Sequence, residues 1–106
     1  MILTGKCRED FIKTKIGNEI KLFESMLPIY RNTLIIEWFD SVGIYIMPEI
    51  CSIKGIFTAT IFHEKYRTKT GRTISEIENF NSRQEALIEA IKKANKIYNE
   101  KYSISQ

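Results

Sequence analysis

Very little of what most chemistry needs is present in this chain. Its one histidine, His63, leaves no pair of imidazoles to share acid–base work or grip a metal. The two cysteines, Cys7 and Cys51, lie far apart and belong to no close-spaced pair. That excludes a disulfide framework and, with only His63 to add, a zinc site; both read as buried reduced thiols. A Cys–His nucleophile built from Cys7 or Cys51 with His63 has no local support. The five glycines form no phosphate-cradling loop, since Thr68-Lys69-Thr70-Gly71-Arg72-Thr73 lacks both the upstream glycine and the Gly-Lys-Thr order. No apolar run approaches the roughly 20 residues that span a bilayer, and the polar start at Met1 to Lys6 is too short for a leader. Catalysis is therefore the weakest reading. No metal, cofactor or small-molecule substrate is implied, and a soluble, cytoplasmic protein is expected.

What is there is ordinary in amount and uneven in placement. A chain of 106 residues, 43% apolar and 27% charged, makes a single domain over residues 1–106 with one modest core. Residues 1–53 hold six Lys/Arg and seven Asp/Glu, a net −1, while residues 54–106 hold ten and six, a net +4. The asymmetry is too mild to name an acidic partner.

The clearest element is the run from Asn81 to Tyr102. Ser82-Arg83-Gln84-Glu85 is a capping box, and Leu87, Ala90, Ile91, Ala94, Ile97, Tyr98 and Tyr102 come after it at helical steps. Near the start, Ile12, Ile16, Ile20, Phe23 and Leu27 also share a helical face, with Thr4 placed to cap it and Pro28 to stop it. Gly17-Asn18 lies mid-run, so a hairpin from Phe11 to Phe23 competes with that helix. Thr33 to Phe39 is β-branched and aromatic, Asp40-Ser41-Val42-Gly43 suits a type I turn, and Ile44 to Met47 supplies a return strand. Pro48 ends that strand or marks a sheet edge. A further strand is expected over Ile56–His63, and Thr73–Ile77 is a short candidate fourth.

The expected fold is thus α+β, a two-layer sandwich in α-β-β-β-α order. Its antiparallel sheet has three strands, or four with residues 73–77, and both helices lie on one face. Strand side chains alternate, so the uncovered face would carry Ile35, Phe39, Tyr45, Met47, Ile56 and Phe62, a patch a monomer rarely exposes. Either it binds a protein, a host factor or a second copy, or residues 64–80 fold over it or the twist of the sheet hides it. The alternative function is nucleic-acid binding. Lys65, Arg67 and Lys69 alternate along an extended stretch, with Arg72 beyond and Arg83 as a further candidate, and would neutralise phosphates. Lys92, Lys93 and Lys96 interleave with Glu85, Glu89 and Glu100, which describes a salt-bridged solvent face.

These residues carry two resemblances. The expected order, with Ser82-Arg83-Gln84-Glu85-Ala86 opening the last helix, resembles the double-stranded-RNA-binding domain. That family's lysine cluster at this helix start is matched in charge by Arg83 alone, and its Gly-Pro-x-His-type loop has no counterpart in Asp40-Ser41-Val42-Gly43. Leu3-Thr4-Gly5-Lys6, Phe39 to Ile46, Ser82 to Ala86 and Lys93-Ala94-Asn95-Lys96-Ile97-Tyr98-Asn99 together look like small uncharacterised proteins of phages and prophages of gut bacteria. The likeness covers most of the chain, with residues 48–80 departing furthest. It implies a phage or mobile-element accessory protein in the cytoplasm of a bacterial host, and it favours the N-terminal helix over the hairpin.

Overall fold

The computed structural model describes residues 1–51, 56–68, 71–76 and 82–103, with side chains for 1–49, 56–62 and 82–102. The chain enters α1 (Gly5–Phe11) from an extended Thr4 and widens into a π-helical turn over Ile12–Ile16. The Gly17 amide closes that turn by donating to the Ile12 carbonyl at 2.6 Å. Gly17 then adopts φ 60°, ψ −127°, a conformation open to glycine and to few others. The helix predicted to run unbroken through the Gly-Asn pair is therefore broken there, and α2 (Ile20–Ser25) starts afresh.

The expected strand at residues 33–39 is a helix. α3 spans Pro28–Ser41 with the proline in its first turn, where a missing N–H costs nothing and the fixed φ suits the helix. Its buried residues, Asn32, Ile35, Trp38 and Phe39, recur with helical spacing. The β-branched and aromatic content of the run is real, but packing of this stripe outweighs it. The expected hairpin turn is the helix terminus: the Val42 amide donates to the Phe39 carbonyl at 3.0 Å and the Gly43 amide to Asp40 at 3.3 Å. Gly43 sits at φ 82°, the left-handed conformation that ends helices.

Strands begin only at Ile44. β1 (Ile44–Cys51), β2 (Ile56–Thr68) and β3 (Gly71–Glu76) are antiparallel neighbours in that order, with an irregular register between His63 and Thr68. The proposed α-β-β-β-α sandwich is thus corrected. Three α-helices and a π-helical turn precede the sheet, and none of its strands lies where the first was expected. Pro48 stands within β1, an edge strand that can forgo its N–H.

α4 (Arg83–Ser103) closes the fold. The Glu85 amide donates to the Ser82 hydroxyl at 3.1 Å, so the helix starts on its predicted cap. Ala90, Ile91 and Ala94 are fully buried, Leu87, Ile97 and Tyr98 nearly so, and they join one core with Ile35, Phe39, Ile44, Ile46, Ala59 and Ile61. Burying such side chains supplies about 25 cal/mol per Å² of apolar surface. Trp38 sits among three rings, at centroid distances of 5.7 Å from Phe11, 5.3 Å from Phe39 and 5.1 Å from Tyr98. Its indole N–H donates to the Thr14 hydroxyl at 2.8 Å. Among the described residues no helix is long and apolar enough to cross a membrane.

Candidate interaction surface

The six residues expected on an open sheet face do not stay together. Ile35 and Phe39 are 1% and 0% exposed and belong to the core, because α3 turns that side inward. Their assignment to a docking surface is corrected. Tyr45, Met47, Ile56 and Phe62 do share the outer face, where Tyr45 pairs with Phe62 across the strands and Met47 with Thr60. Only Met47 of these is exposed, at 49%. Polar groups interrupt that face, since the Thr60 hydroxyl donates to Glu49 at 3.2 Å. The sheet is a weaker docking surface than its sequence suggests.

Of the basic residues proposed for nucleic acid, Lys69 lies outside the described residues, as do the side chains of Lys65, Arg67 and Arg72. Arg83 is exposed, with its guanidinium 5.9 Å over the ring of Phe57. On the solvent face of α4, Lys92 pairs with Glu89 at 3.1 Å, a partner three residues away. The side chains of Cys51 and His63 are outside the described set. Cys7 is wholly buried, and burial, reinforced by the Asp10 charge, pushes its thiol up to about 12. Such a thiol is inert at neutral pH. Among the described residues no group of three or more His, Cys, Asp or Glu side chains could hold a metal.

The surface that sequence reasoning missed is the corner between α2 and α3. Leu22, Leu27, Ile29 and Tyr30 are 60%, 62%, 50% and 58% exposed, and all belong to residues 22–30. The stripe expected from periodicity puts Leu27 in the core. The break at Gly17 changes the phase, and the extended Met26 and Leu27 lead sharply into Pro28, so Leu27 faces outward. A readable signal was there: three large apolar residues flank a proline, at Leu27, Ile29 and Tyr30, where a solvated turn would be polar.

Two cavities open beside this corner, and Phe23, 3% exposed, lines both. The larger, about 280 Å³, has walls from Met1, Ile2, Phe23, Pro28, Ile35 and Ile88, with Arg31 and Asn32 supplying its polar side chains. The smaller, about 190 Å³, lies between α2 and α3 and includes Ile16, Leu22, Met26 and Leu34, with Lys15 and Glu19 as its charged groups. Lys15 is engaged with Glu37 at 3.6 Å. Arg31, half-buried, has no acidic partner among the described residues. The larger cavity suits an apolar anchor with negative charge nearby, the smaller an apolar anchor alone, and nothing in either is poised for bond making. No family model, no curated protein and no solved structure matches this chain, so the meaning of the surface rests on its chemistry.

Proposed function

We propose that this protein is a protein-binding module that docks an apolar segment of a partner on the α2–α3 corner. The observation that carries the reading is the exposure of Leu22, Leu27, Ile29 and Tyr30 beside two cavities that share Phe23 as a wall. Exposed apolar residues gathered on one corner mark interaction sites, and concave pockets accept the anchors that dominate binding; of the four, Leu22 itself lines the smaller cavity. The likeness to phage and prophage proteins supplies a setting in which the partner is a host factor.

The test is selection of binding peptides from a random display library against the immobilised protein. Leu27→Glu and Tyr30→Glu variants serve as counter-targets, and light scattering monitors oligomeric state. Enriched apolar peptides that lose at least tenfold in affinity on both variants are the expected result. Absence of enrichment, peptides indifferent to both substitutions, or a stable dimer held by the same corner would overturn it.

A further inference from the structure

We propose that the larger cavity reads the free C-terminus of the partner segment and that the last residue of that segment is apolar. The inference rests on the protein-binding reading and deepens it by stating which end of the partner is recognised. Three features of the cavity each call for a different group on the ligand.

The walls come first. Phe23, Ile35 and Ile88 offer only carbon to a cavity of about 280 Å³, enough for one large aliphatic or aromatic side chain. The second feature is Arg31, half-buried on the cavity wall with no carboxylate to meet it among the described residues. A planar guanidinium in that position binds a carboxylate through two parallel hydrogen bonds. The third is Asn32, 8% exposed and on the same wall. Its amide nitrogen donates to Gln84 Oε1 at 3.3 Å, while its carbonyl oxygen accepts no hydrogen bond among the described residues. A buried acceptor left without a donor is costly, and a ligand N–H relieves it.

Each alternative ligand leaves one of the three groups unanswered. A medium-chain fatty acid satisfies the walls and Arg31 but brings no N–H for Asn32. An internal apolar residue of a peptide brings the side chain and the N–H but no charge beside them. The terminal residue of a chain carries all three on one α-carbon: side chain, carboxylate and amide N–H.

The experiment is a titration of isotopically labelled protein followed by amide resonances. The probes are N-acetyl-Ala-Leu, its C-terminal carboxamide and octanoate. The free acid should shift the signals of Arg31, Asn32 and Ile88, with the carboxamide and octanoate each at least tenfold weaker. Arg31→Gln should erase the preference for acid over carboxamide, and Arg31→Lys should restore part of it. Unshifted dispersion elsewhere in the spectrum would show that both variants fold. Equal binding of acid and carboxamide would overturn the inference, as would octanoate binding as tightly as the peptide. So would library-selected peptides indifferent to amidation of their C-termini, and in that last case the protein-binding reading survives without it.

Discussion

The side-chain oxygen of Asn99 accepts a hydrogen bond from the backbone amide of Cys7 at 2.7 Å, across 92 positions of sequence. Thr4, the residue placed to cap α1, makes no side-chain cap of its own. α4 does the capping instead. Asn95 Oδ1 accepts from the Thr4 amide at 2.9 Å, and its Nδ2 donates to the Thr4 hydroxyl at 2.9 Å. Asn99 Nδ2 donates to the Thr4 carbonyl at 3.0 Å. The Leu3-Thr4-Gly5-Lys6 and Lys93-to-Asn99 blocks are therefore two halves of one joint.

Gly5 belongs to that joint for two reasons. It sits at φ 60°, and a Cβ there would meet the Asn99 amide group at 3.1–3.2 Å. Gly5→Ala should destabilise by about 2 kcal/mol, and Asn99→Ala by about 1–2 kcal/mol through loss of the cap. The double variant should cost less than the two together, since removing the Asn99 side chain also removes the clash. Urea denaturation of the four proteins checks the cycle; strict additivity would mean the two residues do not meet.

Gly17→Ala tests the break in the first helix by its sign. In an unbroken helix alanine would stabilise by about 1 kcal/mol. At φ 60° it should instead destabilise by about 1 kcal/mol, although no atom lies within 4 Å of the added methyl. A rise in thermal midpoint would contradict the π-helical turn and its glycine stop.

Acid should loosen the packing of α1 on α4. The Tyr98 hydroxyl donates to Asp10 Oδ2 at 2.5 Å, and Lys6 lies 3.2 Å from Oδ1. The Tyr98 bond, with help from Lys6 and against some burial, holds the Asp10 carboxyl below its ordinary 3.8. A carboxyl whose folded value is lowered stabilises the fold above the unfolded value and loses that contribution as pH falls through the folded one. Stability should therefore decline below about pH 4, and less steeply in Tyr98→Phe. Urea midpoints at pH 3, 4 and 6 decide it; parallel profiles would remove Asp10 from the account.

The alkaline limb has the opposite sign. Cys7 is raised from 9.0 to about 12 by burial, then by Asp10, and Tyr98 is raised above its ordinary 10, by burial first. Groups with raised folded values stabilise fully below the unfolded value and lose that contribution as pH climbs. Stability should hold to about pH 9 and fall towards pH 12, with a shallower fall in Cys7→Ala after allowance for that variant's lower starting point. An unchanged slope would place the alkaline loss elsewhere.

Core and corner should separate cleanly under substitution. Ile35→Ala removes a side chain 1% exposed and should cost about 2–5 kcal/mol. Leu27→Glu alters one 62% exposed and should stay within about 0.5 kcal/mol. Thermal melts check both. A large loss from Leu27→Glu would return that residue to the interior and end the docking proposal.

How far the sequence could be read depended on periodicity. The stripe of α4 from Leu87 to Tyr102 has a polar opposite face and a capping serine, so pattern and cap agree. Residues 33–39 are apolar on nearly every side, and periodicity cannot separate a helix from a strand in such a run. β-branched content then favours a strand. A proline can close the segment before it or open a helix, and Pro28 opens α3. Asp40-Ser41-Val42-Gly43 shows the same ambiguity, because a glycine with positive φ serves a turn and a helix end alike. This misplacement hides the corner: Leu27 looks interior only if the first helix never breaks. The Thr4–Asn95–Asn99 joint leaves no local trace, since its partners are set by tertiary approach alone.

That joint also dictates the order in which the molecule can mature during synthesis. Asn95 and Asn99 leave the ribosome long after Gly5 to Phe11, so a nascent chain arrested before them carries a first helix whose leading amides have only water as acceptor. Contacts of such long separation close late and slowly. The amino-terminal third must wait, loosely held, for the final helix to emerge and latch it.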